Sequence, residues 1–139
     1  VEREYGSLEI HSYHQESVLV AGRQALDALG LTESDRMKPE ILSALLISRV
    51  DPFQAQLINR TSFGGLLLAG QTLCVLEVLP AAYIVLAANE AEKAANITLV
   101  NYTPRGRSGR LYFSGTDAEV RQARDAAIKS IEALPGRTK

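Results

Sequence analysis

The chain has 139 residues, of which 46% are hydrophobic and 22% charged, with a formal net charge of −1. This is the composition of one ordinary globular domain, or one domain plus part of another, and not of a disordered chain. The near-zero charge gives no bulk attraction to nucleic acid or to an anionic membrane, the single Cys excludes an internal disulfide framework and an all-cysteine metal site, and no apolar run reaches the ~18 residues of a membrane span.

In chain order, Gly6 to Ser12 alternates like a short strand and leads into an amphipathic helix from Glu16 to Leu29. Gly30 to Pro39 is polar and turn-rich, the pattern of a linker. Ile41 to Val50 is aliphatic and reads as a buried strand. Asp51-Pro52 is a helix start, with Asp as N-cap and Pro at the first helical position, and that helix should run to about Asn59 and present Phe53, Leu57 and Ile58. Ser62 to Gly70 is irregular, and Thr72 to Leu79 is a second apolar strand. Pro80 opens a helix to Asn96 that should bury Ile84, Ala87, Ala88, Ala91 and Ala95. Ile97 to Tyr102 is a third strand, Thr103 to Ser108 a basic loop, and Leu111 to Phe113 a fourth strand. The last helix spans Glu119 to Leu134 and stops near Pro135-Gly136.

One pattern occurs twice. The strand and helix of residues 6–29 return, with a small insertion, at Gly109 to Leu134. Val18, Gly22, Ala25, Leu26 and Leu29 share a helical face, as do Val120, Ala123, Ala127, Ile131 and Leu134. The expected division is therefore residues 1–31 as the last strand and helix of an incomplete preceding repeat, 32–39 as linker, and 40–139 as a complete unit. Because the chain opens on Val, it is expected to be a piece of something longer. Strands alternating with Ala-rich helices predict an α/β (α+β) sandwich, with helices on one side of a mostly antiparallel sheet.

The residues that could carry chemistry are few. Residues 1–70 have a net charge of −3 and residues 71–139 of +2, and the local source of the difference is Arg105, Arg107 and Arg110 in one Gly-containing loop. Such a loop, with Tyr102 and Tyr112 nearby, would also suit RNA, but the rest of the chain is not basic. Glu77 in an apolar strand needs donors, and a structural carboxylate bonded to backbone or Arg is the favoured reading. Cys74 reads as a small buried hydrophobe. His11 and His14 are three residues apart, but no Cys or second cluster joins them, so no metal or cofactor is expected. Arg60-Thr61-Ser62 has no carboxylate–histidine partner, and no phosphate-binding glycine motif occurs. No catalytic residues are assigned, and an enzyme is not expected.

Leu76-Glu77, Lys93-Ala94-Ala95-Asn96-Ile97, Tyr102 and Ser108-Gly109 stand in the order and spacing of the central signature of bacterial microcompartment (BMC) shell proteins, which the chain resembles over about 60 residues. The entry through Gln54-Ala55-Gln56, Gly64-Gly65-Leu66-Leu67 and Ala69-Gly70 is similar to that of the circularly permuted subfamily. Glu4-Tyr5-Gly6-Ser7-Leu8-Glu9 resembles the pore loop and following strand of a preceding permuted domain.

The resemblance implies a tandem-domain shell protein, a cytoplasmic structural tile that forms a trimer (pseudohexamer) or hexamer with other shell proteins, and a partner fragment that completes the first repeat. It implies that Pro104, Arg105, Gly106, Arg107 and Ser108, with Tyr5, Gly6 and Ser7, line a central pore for small anionic metabolites. It places Lys93 at the tile edge, with Asn89 where the family usually has Asp. The rival expectation is an oligomeric regulatory domain that binds a small molecule through the same arginine loop.

Overall fold

The computed structural model describes residues 8–138. They divide into two compact units, one of residues 39–134 and one of the residues up to 38 together with those from 135 onward.

Helix α1 (Gln15–Ala28) belongs to the smaller unit, and the larger unit opens with strand β1 (Glu40–Ile47), followed by helix α2 (Pro52–Thr61). Asp51 caps α2 as expected, its carboxylate accepting the Phe53 N–H at 2.8 Å with Pro52 beside it. Strand β2 (Thr72–Leu79) leads through a 3₁₀ turn (Ala81–Tyr83) into α3 (Ile84–Ala94). The hairpin β3 (Thr98–Thr103) and β4 (Gly109–Gly115) follows, and then α4 (Asp117–Glu132). The α4 start is a capping box, in which Thr116 and Glu119 satisfy one another's backbone N–H groups. Among the described residues the strand pairs are antiparallel, as expected, and the order in the sheet is β1-β2-β4-β3.

Strand alternation divides the core into two layers. Cys74, Leu76 and Val78 of β2 and Leu111 and Phe113 of β4 meet Ile84, Ala87, Ala88 and Ala91 of α3 and Val120, Ala123, Ala127 and Ile131 of α4. The small residues on both helices permit the close approach that the Ala-rich pattern implied. Leu73 belongs to a second cluster with Val50, Ala55, Leu67 and Val100, against which Ile47, Ile58, Val75 and Tyr112 pack. This second cluster corrects the expectation that all helices lie on one side. Leu73 and Val75 alternate with Cys74 and Leu76, so α2 and residues 62–71 cover the face opposite α3 and α4.

The irregular segment after α2 is held by backbone and amide bonds. The Asn59 side chain donates to the Leu67 carbonyl and accepts from the Leu67 N–H, both at 2.9 Å. Gly64 and Gly65 donate to the Val100 and Leu99 carbonyls at 3.0 and 2.8 Å. A Cβ on Gly64 would lie 2.4 Å from the Leu99 oxygen, so only glycine allows that approach.

Several boundaries move. β1 ends at Ile47, because the chain turns at Arg49, whose φ is +52°. β4 extends from Gly109 to Gly115, because its ladder with β2 runs from Val78↔Gly109 to Thr72↔Gly115. Ala95 is the extended C-cap of α3 and is half-buried, not a core residue. On α2 it is Ala55 that is buried, with Ile58 half-buried, while Phe53 and Leu57 are exposed.

In the smaller unit α1 (Gln15–Ala28) matches the expected helix, and Val18, Gly22, Ala25 and Leu26 are its half-buried stripe. Leu29 is the C-cap and 72% exposed, so it leaves the stripe. Residues 8–12 form no strand, which corrects the described part of the first expected element. Arg137 bridges this unit's segments. It donates its N–H to the Arg36 carbonyl and accepts from the Lys38 N–H, both at 2.9 Å.

The α3–α4 layer yields a test. Ala127→Leu adds volume to a fully buried position facing the Ala-rich α3. It should destabilise the protein by about 1–3 kcal/mol in denaturant unfolding, with little change in the slope of the transition.

Candidate functional site

The basic loop joins β3 to β4 across residues 104–108, and its ends are fixed from both faces of the sheet. On the α3 face, a Cβ on Gly109 would stand 2.3 Å from the Ala81 carbonyl oxygen and 2.7 Å from Ile84 Cβ. The loop exit therefore lies directly on the start of α3. On the opposite face Glu77 accepts the Ser108 hydroxyl at 2.5 Å and Arg110 Nε at a longer 3.4 Å, both through Oε1. Register explains the meeting, because Glu77 pairs directly with Arg110 across the β2–β4 ladder. Glu77 is thus the structural carboxylate expected from sequence, and its partners are a hydroxyl and a guanidinium.

The Ser108 hydroxyl, with the Arg110 charge behind it, holds the Glu77 carboxyl below its usual range against the opposing effect of burial. At the tip Gly106 takes a φ of +93°, which a residue with a side chain rarely adopts. Arg105 and Arg107 are exposed on this loop, and Pro104 and Ser108 are half-buried.

The other expected position lies on the outer side of α3. Lys93 Nζ donates to Glu90 Oε1 at 3.0 Å, and Asn89 Nδ2 donates to the same oxygen at 2.9 Å. Glu90, held below its usual pKa by Lys93 first, gathers the two expected edge residues. The shared acceptor follows from one helical turn, which sets Asn89, Glu90 and Lys93 side by side on α3. Tyr5, Gly6 and Ser7, also expected to line a pore, lie outside the described residues.

The remaining candidates are chemically quiet. Cys74 is fully buried, and burial pushes its thiol up to about 12, which leaves no thiolate near neutral pH. His11 stands 3.3 Å from Glu9 on the surface, and among the described residues no group of three or more His, Cys, Asp or Glu could hold a metal. No helix among the described residues is long and apolar enough to cross a membrane. Asp117, which sequence analysis passed over, accepts from Arg121, Ser48 and Thr72 and ties the start of α4 to the ends of β1 and β2.

Comparison with known proteins matches this architecture. The BMC domain family model covers residues 72–137, and the model of the CsoS1D N-terminal domain covers residues 1–35. The chain is 51% identical over 137 residues to the carboxysome shell protein CcmP of Synechococcus elongatus, covering 99% of this chain and 64% of that protein. It is 41% identical over 139 residues to the carboxysome shell protein CsoS1D of Hydrogenovibrio crunogenus, covering 99% of this chain and 68% of that one. The chain thus spans about two thirds of the length of these relatives.

Among solved structures, the double ringed trimeric shell protein of the RMM microcompartment superposes with a TM-score of 0.88 at 34% identity, covering 93% of this chain and 64% of that one. The fused permuted hexameric shell protein of the same microcompartment gives 0.79 at 47% identity, covering 84% and 60%.

The Glu77 clasp has a defined pH signature. Its folded-state pKa lies below the unfolded value of about 4.3, so its stabilisation is present above that pH and lost as pH falls through the folded value. Wild type should therefore be more stable than Glu77→Gln at neutral pH, and the gap should narrow in urea titrations carried below about pH 4. A gap independent of pH would remove the charge from the clasp.

Proposed function

This chain belongs to the BMC-domain family of shell proteins, and from that premise we propose that it is a tile of a bacterial microcompartment shell, acting by lateral assembly and not by catalysis. The observation that carries this reading is identity sustained over nearly the whole chain to proteins named as carboxysome shell components. The fold neighbours, one described as trimeric and one as hexameric, support a trimer (pseudohexamer) or hexamer as the assembled form, with other shell proteins as neighbours in a cytoplasmic shell. Residues 1–31 act as the end of a preceding repeat, residues 32–39 as linker and residues 40–139 as a complete permuted domain, with the rest of the first repeat as a partner. The match of residues 1–35 to the N-terminal-domain model supports that division.

In such an assembly Pro104, Arg105, Gly106, Arg107 and Ser108 line the central pore, joined by Tyr5, Gly6 and Ser7 of the preceding repeat. Support comes from the loop itself, which carries exposed arginines on a base fixed by Gly109 and Glu77. A ring of such loops concentrates positive potential at an axis, which admits small anions and opposes cations. Lys93, a flexible cation on the outer side of α3, lies along the tile edge with Asn89, and Glu90 is the local partner from which it is exchanged between tiles.

Native mass spectrometry of the chain, with any polypeptide that co-purifies, tests the assembly. The expected result is a trimer or hexamer. A monomer or dimer that shows only a saturable, ligand-induced thermal shift would favour a regulatory small-molecule-binding domain instead. Lys93→Ala should leave the oligomer mass unchanged and abolish extended sheets in electron micrographs. Sheets of normal extent would take Lys93 off the edge. Replacing Arg105 and Arg107 by Glu should leave assembly intact while lowering passage of small anions through reconstituted shells, and unchanged passage would take the loop away from the pore.

A further inference from the structure

The face of the sheet that carries Glu77 holds a second feature. A pocket of about 230 Å³ opens between the end of α2 and the β3–β4 ladder, where Ile58, Thr61 and Ser62 face Asn101, Thr103, Arg110 and Tyr112. We propose that this pocket is a binding site for a small, singly charged carboxylate bearing a neighbouring hydroxyl.

The strands assemble the polar groups in register, with Thr103 opposite Arg110 and Asn101 opposite Tyr112. Arg110 and Tyr112 are two residues apart on β4 and so share a face. The side chains of Asn101, Thr103 and Tyr112 make no hydrogen bond among the described residues, so their donors and acceptors are available to a ligand.

Arg110 sets the charge and the geometry. Its Nε is turned to Glu77 at 3.4 Å, which leaves the paired terminal nitrogens as the edge that presents two parallel donors. A planar carboxylate matches that edge with two bonds. Glu77 also limits the charge the pocket accepts. One guanidinium beside one carboxylate favours a monoanion, whereas a phosphate dianion would meet a stronger repulsion from the Glu77 charge. The amide, the phenol and the threonine hydroxyl supply the complement for a hydroxyl next to the carboxylate. The volume suits a ligand of a few heavy atoms and lies below that of pockets for larger molecules.

A wider recess of about 650 Å³ near the start of α4 lacks such open polar groups, because Arg121, Ser48 and Thr72 there all bond to the Asp117 carboxylate.

Saturation-transfer NMR of the full chain with L-lactate, at constant ionic strength, tests the proposal in whatever oligomer the chain forms. The expected result is a saturable lactate signal that a second 2-hydroxycarboxylate displaces and that glycerol and inorganic phosphate do not. Arg110→Lys should weaken binding by about tenfold, since a point charge replaces the two-pronged edge. Arg49→Lys, in the other recess, should leave it unchanged. No saturable signal, displacement by phosphate at equal concentration, or full binding by Arg110→Lys would each overturn the proposal. Should the melting curve show Arg110→Lys to be unfolded, Tyr112→Phe decides in its place. A several-fold loss supports the site, and unaltered affinity rejects it.

Discussion

Strand β2 is the constraint on which the rest of the larger unit depends. It is paired on both edges, with β1 on one side and β4 on the other, and its residues are buried alternately against two different layers. Cys74, Leu76 and Val78 bind it to α3 and α4, and Leu73 and Val75 to α2 and the segment that follows. A one-residue slip would turn Glu77 into the Ala-rich helix layer and expel Leu76 to the other face, so the register admits no neighbour. The buried, paired strand then dictates where both of its covers begin and end.

The single polar interruption of β2 is what couples this core to the exposed loop. Glu77 falls near the end of the strand, where it is half-buried, and its carboxylate reaches Ser108 and Arg110. A carboxylate at that place costs solvation, which a short hydroxyl bond and a guanidinium offset. The arginine loop is consequently presented from a rigid base, while its tip bends through Gly106. In a shell tile, rigidity at the base and turn freedom at the tip would set how closely neighbouring loops approach an axis. Arg110 meets that carboxylate and also lines the pocket with Asn101, Thr103 and Tyr112, so loop anchoring and the proposed carboxylate site share one residue.

The stability of α3 and α4 has a different character from that of α1. Both carry alanines at their contact, and four residues of each are fully or almost fully buried. α1 has the same periodic stripe and a similar sequence, yet buries no residue fully. Amphipathicity states that a helix has a face to bury but not that the covering layer is present in the same chain.

Local chemistry in the sequence determined much of this protein. Asp51-Pro52 announced the α2 start, because an N-cap and a proline at the first helical position act within one turn. The apolar run from Thr72, the alanine stripes of α3 and α4, and the basic loop were equally visible, since each rests on period or composition. The family signature lay in those same segments. What only the tertiary structure decided depended on register between distant strands. It put α2 on the far face of the sheet, made Ala55 rather than Phe53 the buried residue, and lengthened β4 to Gly115 through its ladder with β2. It also brought Glu77 to Ser108, 31 residues away along the chain, and set Asn101 across from Tyr112. Pairings of that kind are fixed by packing over the whole sheet, and no local pattern of residues encodes them.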